Sequence, residues 1–259
     1  MGKNKLKKFA DMERFGCVLQ YPREELLRLG FPHVGKWNGD VFASPAPLTL
    51  ELGCGRGEYT VGLAKSERGR NFVGIDIKGA RMWTGAKEVE ENGIPNAAFL
   101  RCEIENIDRF FAPAEVDSLW ITFPDPQMKK ATKRLTGTRM VELYRRVLAP
   151  GATVHLKTDS PFLYAYTEMM CRHNGLAIRC ADADIDAGAR AADPVLAIRT
   201  HYESQWLDRG LTIRYLAFGA DGKESLSEPP GAEELDRDTY RSYSRGYIQM
   251  PGLMNQNND

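Results

Sequence analysis

The residues best suited to chemistry lie in a glycine-rich turn and at an acidic position beyond it. The turn, Glu51-Leu-Gly53-Cys-Gly55-Arg-Gly57, follows an apolar run and precedes a helical pattern. Glycines let the backbone turn tightly and let a nucleotide approach. Asp76 ends the next apolar run, where a carboxylate can accept both ribose hydroxyls of a nucleoside. The pattern predicts a nucleoside-type cofactor, and the alternative is a plain turn with a helix-capping aspartate.

A second candidate is the loop Phe123-Pro124-Asp125-Pro126, which follows the fourth predicted strand. In doubly wound sheets, ligands bind outside the carboxyl ends of the strands. Asp125 is therefore expected beside the cofactor, framed by two rigid prolines. Taken alone, the loop fits a simple turn containing an aspartate equally well.

The stretch after this loop is strongly basic, although the chain has 35 basic and 35 acidic residues and a formal net charge of zero. That balance excludes a protein that holds nucleic acid by bulk charge. A local excess beside a ligand site instead indicates an anionic macromolecular substrate, with a solvated face as the alternative. Against the single acid Glu142, the basic residues of this stretch are Lys129, Lys130, Lys133, Arg134, Arg139, Arg145 and Arg146.

Two further motifs follow the basic stretch. Lys157-Thr158-Asp159 ends the fifth predicted strand, and Thr200-His-Tyr-Glu203 matches the T-x-x-E pattern. Asp159 could bind a ligand at the strand end, or Asp159 or Ser160 could cap the helix that starts at Pro161. T-x-x-E is also a capping box. Spacing alone favours capping for both.

Apolar runs alternating with helical patterns predict an α/β fold with a doubly wound sheet. The predicted domain organisation is a basic extension over residues 1–45, one domain over 46–219 and a C-terminal tail over 220–259. The seven predicted strands are 47–55, 71–77, 97–102, 116–123, 153–157, 176–180 and 211–218.

Several classes of protein are not expected. The chain has no apolar stretch long enough to span a membrane, and its basic N-terminal segment lacks the apolar run of a secretory signal. It has five cysteines without a CxxC pair, which favours reduced thiols in the cytoplasm over disulfides or a zinc site.

These motifs, in this order, resemble the tRNA (guanine-N7-)-methyltransferase family from about Leu50 to Phe218. Each motif is weak alone, and the resemblance rests on finding all five in order, at the strand ends where the family has them. It implies a Rossmann-like methyltransferase sheet with one antiparallel strand, S-adenosylmethionine as cofactor, tRNA as substrate and no obligate protein partner, as monomer or homodimer. The matching segments are ELGCGRGEY, GIDI, FPDPQMKKATKRLTG, HLKTDSPFLY and THYESQWLDRG.

The resemblance also implies roles for individual residues. Asp125 matches the family's residue at the joint of the cofactor and substrate sites and is the catalytic candidate. Gln127 stands where the family often has Trp, and Glu103 stands where it has Asp, with Glu105 as a rival. The residues that match S-adenosylmethionine ligands are Glu51, Gly53, Gly55, Asp76, Glu103 and Asp125. Those that match tRNA contacts are Lys129, Asp159, Thr200 and Glu203.

The implied reaction is methyl transfer to N7 of a guanosine in the variable-loop region of tRNA. Guanine N7 carries a lone pair and no proton, so Asp125 is expected to orient the base and not to remove a proton. The basic run, including Arg134, is expected to contact tRNA. Two alternatives stay open, a methyltransferase acting on another acceptor and a non-catalytic RNA-binding protein. A nicotinamide oxidoreductase is disfavoured by the glycine spacing.

Overall fold

Short, almost fully buried runs form the centre of the molecule. In the computed structural model, which describes residues 3–42, 44–187 and 193–240, every residue of Leu48–Leu52 is buried. Strands covered on both faces by helices are apolar nearly throughout. The described strands are β1 (Val18–Gln20), β2 (Leu48–Leu52), β3 (Asn71–Asp76), β4 (Ala97–Arg101), β5 (Val116–Thr122), β6 (Leu148–Thr158), β7 (Ile178–Asp182) and β8 (Arg214–Gly219).

These strands form one sheet in the order β1-β4-β3-β2-β5-β6-β8-β7. The strands from β1 to β6 pair in parallel, and β8 runs antiparallel to both β6 and β7. The α/β class and the mostly parallel sheet with one antiparallel strand are therefore confirmed. The strand order reverses between β2 and β5, and in open α/β sheets the crevice at such a point receives ligands.

The predicted count of seven strands is wrong, because the described part of the chain has eight. The additional strand, β1, extends the sheet beside β4, with Val18 opposite Phe99 and Gln20 opposite Arg101. Its three residues are only half-buried, and the apolar run that it shares, Cys17-Val18-Leu19, is short. It lies within residues 1–45, which the sequence indicated only as a basic extension.

Helices cover both faces of the sheet, and alternate strand residues point to two separate cores. Leu50 and Leu119 belong to the core on one face, whereas Phe99 and Trp120 belong to the core on the other. The period of two along each strand produces this division. The described helices are α1 (Lys3–Arg14), α2 (Arg23–Leu29), α3 (Trp37–Asp40), α4 (Glu58–Ser66), α5 (Gly79–Asn92), α6 (Thr138–Tyr144), α7 (Pro161–Asn174) and α8 (His201–Leu207).

Segments on both sides of residues 46–219 contact the central sheet and its helices. In α1, the carboxylate of Asp11 accepts a hydrogen bond of 3.0 Å from the indole of Trp83 on α5. Trp37 is fully buried and donates to the carbonyl of Phe110 at 2.9 Å. After β8, the backbone N–H of Ser227 donates to the side chain of Asn174 at the end of α7. Both segments therefore help to hold the helices in place.

The start of α4 packs so closely on β4 that only glycine fits there. Gly57 has φ of +74°, and a Cβ atom at this position would lie 2.5 Å from the Phe99 ring. We expect Gly57→Ala to lower the free energy of unfolding by about 2 kcal/mol or more, through backbone strain and overpacking. Urea denaturation measures the change. Gly69→Ala is the control, because no atom lies within 4 Å of its added methyl, and an equal loss there would contradict the explanation.

Candidate active site

The glycine-rich turn joins β2 to α4 and is bonded to the end of β3. The backbone takes left-handed conformations at Gly53 and Gly55, with φ of 73° and 55°. The N–H groups of Gly53 and Cys54 both donate to the carbonyl of Ile75, at 2.8 and 2.9 Å. Residues with side chains rarely adopt this conformation. The turn is therefore fixed at the carboxyl edge of the sheet, with its backbone open to a ligand.

Asp76 lies at the same edge, at the end of β3, and is half-buried. Its Oδ2 atom accepts a hydrogen bond of 3.0 Å from the Gly55 N–H, and its Oδ1 atom accepts one of 2.8 Å from the Lys78 N–H. Each carboxylate oxygen has a second acceptor position. The side chain is therefore held in one orientation and can still accept hydrogen bonds from a ligand.

These segments line a cavity of about 270 Å³ beside the strand reversal of the sheet. The cavity brings together residues from the glycine-rich turn, the end of β3, the loop after β5 and the start of α8. The predicted site residues that line it are Gly53, Gly55, Asp76, Asp125 and Thr200. The aromatic residues that line it are Phe123, Tyr202 and Trp206.

Glu51 lies beneath this cavity and is not part of its lining. Its side chain is only 2% exposed. The carboxylate accepts hydrogen bonds from the backbone N–H of Thr60 at 2.8 Å, from the Thr60 hydroxyl, and from the Thr122 hydroxyl at 2.6 Å. Burial raises the pKa of Glu51 to about 7, although these hydrogen bonds oppose the shift. Glu51 therefore joins β2, α4 and β5 directly below the site.

The loop that carries Asp125 has a strained backbone. Phe123 and Gln127 both have positive φ, 49° and 48°, a conformation costly for residues with side chains. Pro124 and Pro126 are buried, whereas Asp125 is exposed and its Oδ1 atom accepts a hydrogen bond of 3.0 Å from the Gln127 N–H. The loop thus presents one carboxylate at the cavity, and such strain persists only where surrounding contacts hold it.

Arg134 supplies contacts that hold this loop. It is only 5% exposed and donates to the carbonyls of Gln127 and Met128 at 3.2 and 3.1 Å. Its guanidinium also lies 4.9 Å from the ring centroid of Phe162 and 4.2 Å from that of Tyr166. The expectation that Arg134 contacts tRNA therefore does not fit the structure, because its donors and its planar face are used inside the protein.

Lys157 and Glu203 form an ion pair of 2.9 Å, and both side chains are fully buried. The ammonium also donates to the carbonyls of Leu196 and Ile198, at 3.0 and 2.8 Å. A buried ammonium needs such partners, since an uncompensated charge in the interior is very costly. The pair therefore joins β6 to the segment before α8 and to α8 itself. Glu203, predicted to contact tRNA, lies below the cavity surface.

The other two residues of these motifs also have partners within the protein. Thr200 caps α8, because its hydroxyl accepts a hydrogen bond of 3.1 Å from the Glu203 N–H, and it lines the cavity as well. Asp159 is 1% exposed, and its carboxylate accepts a hydrogen bond of 2.6 Å from the Tyr240 hydroxyl. The helix at Pro161 is capped by Ser160, whose hydroxyl accepts from the Leu163 N–H at 2.9 Å. Asp159 is therefore not that cap.

Glu103 lies outside the central cavity, on an adjoining one of about 380 Å³ that Ile77 also lines. Both cavities lie beside the end of β3, since Asp76 lines the central one and Ile77 lines this one. Glu103 is exposed, and its carboxylate accepts a hydrogen bond of 3.1 Å from the Asn106 side chain. Its rival Glu105 is not in the lining of either cavity.

Lys129 is exposed and lies on a third cavity, together with Arg134 and Glu228. Lys130 and Lys133 are also exposed. These three lysines of the basic stretch therefore form an accessible basic surface directly after Asp125. Arg145 is not part of that surface, because it donates to backbone carbonyls of residues 220, 223 and 224.

Sequence reasoning missed the aromatic wall formed by Tyr202 and Trp206. The two residues lie four positions apart on α8 and so share a helix face, a signal that was present beside the T-x-x-E motif. It also missed Tyr240, which lies in the segment treated only as a tail. No local pattern marks Tyr240, because its partners are Asp159 and Trp206 from distant parts of the chain.

Neither a zinc site nor a membrane span is expected from the sequence. Among residues 3–42, 44–187 and 193–240, no group of three His, Cys, Asp or Glu side chains is placed to hold a metal ion. We also find, in the described part of the chain, no helix whose length and apolar content would suffice to cross a membrane.

Solved structures share this architecture at low sequence identity. The 16S rRNA methyltransferase KamB superposes with a TM-score of 0.51 at 14% identity, covering 81% of this chain and 95% of that one. An antibiotic-related methyltransferase superposes with a TM-score of 0.52 at 15% identity, covering 79% and 96%. Identities this low show the fold alone. The family described as "Putative methyltransferase" matches residues 45–216. Fold and family together define a methyltransferase.

Relatives at much higher identity narrow this class. The tRNA (guanine-N(7)-)-methyltransferase of Porphyromonas gingivalis is 53% identical over 236 residues, which covers 90% of this chain and 96% of the relative. The enzyme of the same name from Bacteroides fragilis is 51% identical over 245 residues, covering 95% and 96%. The chain belongs to the tRNA (guanine-N(7)-)-methyltransferase family. The resemblance inferred from the five motifs is therefore confirmed.

The buried carboxyl of Glu51 makes stability depend on pH. Its pKa in the folded chain, about 7, lies above the ordinary 4.5, so the folded state binds the proton more tightly and loses stability as the pH rises between these values. We expect the wild type to lose on the order of 3 kcal/mol relative to Glu51→Gln between pH 4.5 and 8. Urea denaturation at several pH values measures this loss, with the surface variant Glu168→Gln as control. A difference that does not change with pH would contradict the assignment.

Proposed function

We propose that the chain transfers the methyl group of S-adenosylmethionine to N7 of a guanosine in the variable-loop region of tRNA. The products are N7-methylguanosine and S-adenosylhomocysteine. The observation that carries the proposal is the placement of Asp125 and Asp76 on one cavity, with exposed lysines directly after Asp125. Family membership and the name shared by the similar proteins support the same reaction.

The lining residues fit S-adenosylmethionine. Asp76, held by two backbone N–H groups, would accept the ribose hydroxyls. The adjoining cavity offers the half-exposed side chain of Ile77 as an apolar surface for the adenine, with Glu103 beside it. Three acids (Glu58, Asp76 and Asp125) and two arginines (Arg56 and Arg81) line the central cavity, an excess of negative charge that suits a sulfonium cation. Glu51 would act from below by fixing the turn.

The bound cofactor supplies an electrophilic methyl group on a positively charged sulfur. The chain itself has to align the acceptor with that methyl group and to exclude water. Guanine N7 already carries a free lone pair, so no general base is required. Asp125 is exposed at the cavity and would orient the base by accepting hydrogen bonds from a ring or exocyclic N–H. Thr200, on the opposite wall, would contact the substrate from the start of α8.

The accessible lysines would bind the tRNA backbone. Lys129, Lys130 and Lys133 are exposed in the segment that begins at the catalytic loop. Ammonium groups there can pair with phosphates on either side of the target nucleotide. Asp159 and Glu203, both buried, would support tRNA binding indirectly, through the elements that they hold.

The direct test incubates the purified protein with methyl-labelled S-adenosylmethionine and an unmodified tRNA transcript. Nucleoside analysis should show labelled N7-methylguanosine, and fragment mapping should place it in the variable loop. Label in another nucleoside, or label in protein or small molecules only, would contradict the proposed acceptor.

Asp125→Asn separates orientation of the base from binding of the cofactor. We expect S-adenosylhomocysteine to bind within about twofold of the wild type, while the methylation rate falls about a hundredfold, because small misalignments are costly in transfer reactions. Calorimetry and single-turnover kinetics measure the two quantities. Asp221→Asn, at the opposite edge of the sheet, is the control, and wild-type rates in Asp125→Asn would contradict the role.

Replacing Lys129, Lys130 and Lys133 with glutamine should raise the KM for tRNA and flatten its dependence on salt. Three lost phosphate contacts would reduce the slope of log KM against log salt concentration by up to about 2. A matched variant with Lys36, Lys65 and Lys223 replaced, all exposed at the opposite edge, should keep the wild-type slope. Equal slopes in the two variants would show that the three lysines are only a solvated face.

A further inference from the structure

The wall of the central cavity formed by α8 includes the indole of Trp206. Trp206 is half-buried, and its ring has fixed neighbours. The Tyr240 ring meets it nearly edge-on, with centroids 5.6 Å apart and planes at 77°, and the Arg209 guanidinium lies 5.0 Å from its centroid. The cavity thus has an aromatic side chain in the same lining as Asp125.

The reaction moves positive charge onto the acceptor. As guanine N7 donates its lone pair to the methyl carbon, the carbon–sulfur bond breaks and its electron pair stays on sulfur. The sulfonium charge is thereby lost and the purine ring becomes cationic. An aromatic face attracts a cation more strongly than a neutral ring, and an interaction that strengthens along the reaction lowers the barrier.

We propose that Trp206 stacks on the target guanine and stabilises the charge that develops there, and that Tyr240 and Asp159 are positioning residues that hold Trp206 in place. This inference rests on the proposed function. It adds a catalytic contact that the T-x-x-E pattern itself does not indicate, although Trp206 lies within the same segment, and it gives the buried Asp159 a role that acts through another side chain.

The segment that carries Tyr240 is anchored at the end of β6 and the start of α7. Tyr240 donates its hydroxyl to Asp159 at 2.6 Å. Two residues earlier, the carboxylate of Asp238 accepts hydrogen bonds from the Ser160 hydroxyl at 2.5 Å and from the Phe162 N–H at 3.2 Å. Held by its hydroxyl and by the anchored Asp238 two residues earlier, the phenol ring supports the edge of Trp206.

The test measures single-turnover methylation of a tRNA transcript at saturating enzyme and S-adenosylmethionine. Trp206→Leu should lower the rate constant about tenfold, while Trp206→Phe, which keeps an aromatic face, should recover most of it. Affinity for S-adenosylhomocysteine should stay within about twofold in both variants, since binding of the cofactor does not need the ring. A Trp206→Leu variant that only raises the KM for tRNA would overturn the charge-stabilising role.

Tyr240→Phe removes only the hydroxyl that binds Asp159, so the protein should remain folded. We expect its rate constant to fall about threefold and the tryptophan emission assigned to Trp206, obtained by subtracting the spectrum of Trp206→Phe, to shift. Asp159→Asn should behave similarly. Tyr164→Phe, which removes a hydroxyl on α7 away from the cavity, should match the wild type in both respects.

A double variant tests whether Tyr240 acts through Trp206. In the Trp206→Leu background, Tyr240→Phe should cause no further loss of rate, and a further loss would overturn the positioning role. If Trp206→Leu does not fold, the proposal is tested by Tyr240→Phe by itself. A wild-type rate constant together with wild-type Trp206 emission in Tyr240→Phe would then overturn the proposal. Failure of the proposed function can be told apart from failure of the Trp206 proposal, because in the first case the wild type itself would form no N7-methylguanosine.

Discussion

The arrangement of the acceptor side of the cavity depends on one fully buried cation. The Lys157 ammonium, on β6, has two carbonyl partners in the segment before α8 and the Glu203 carboxylate on α8. Removing the negative partner would leave a charge in the interior, a change that is strongly destabilising. The sheet therefore determines where α8 lies, and with it where Thr200 and Trp206 face the cavity. This wall of the cavity is therefore fixed to a strand of the sheet.

Buried polar residues also fix the elements on the other side of the cavity, around β2 and the loop after β5. Glu51 joins β2, α4 and β5 beneath the cavity, and Arg134 holds the loop after β5 through two carbonyls and two aromatic rings. The residues at the cavity surface, such as Asp76 and Asp125, are each oriented by backbone N–H groups. Pre-organisation of this kind is what alignment of two reactants requires.

Local spacing predicted the parts of the site that follow directly from strand ends. The turn at Gly53 and Gly55, the acid Asp76 and the loop of Asp125 could be placed on one edge because parallel strands end at the same edge. Burial could not be predicted in the same way. Asp159, Glu203 and Arg134 have charged side chains, and nothing near them in the sequence shows that they have partners inside the fold. Those partners are, in the same order, the Tyr240 hydroxyl, the Lys157 ammonium and the Gln127 carbonyl. The strand Val18–Gln20 was missed because its apolar run is short, and its pairing with β4 involves residues about 80 positions away in the chain.

The contact between Asp159 and Tyr240 joins residues 81 positions apart, and this separation gives the site an order of assembly. During synthesis, the glycine-rich turn and Asp76 leave the ribosome long before Tyr240 does. The half of the cavity formed by β2 and β3 can therefore fold first, while the support of the α8 wall arrives near the end of translation. The residues that support the α8 side of the cavity are thus synthesised last, after both strands of the other half.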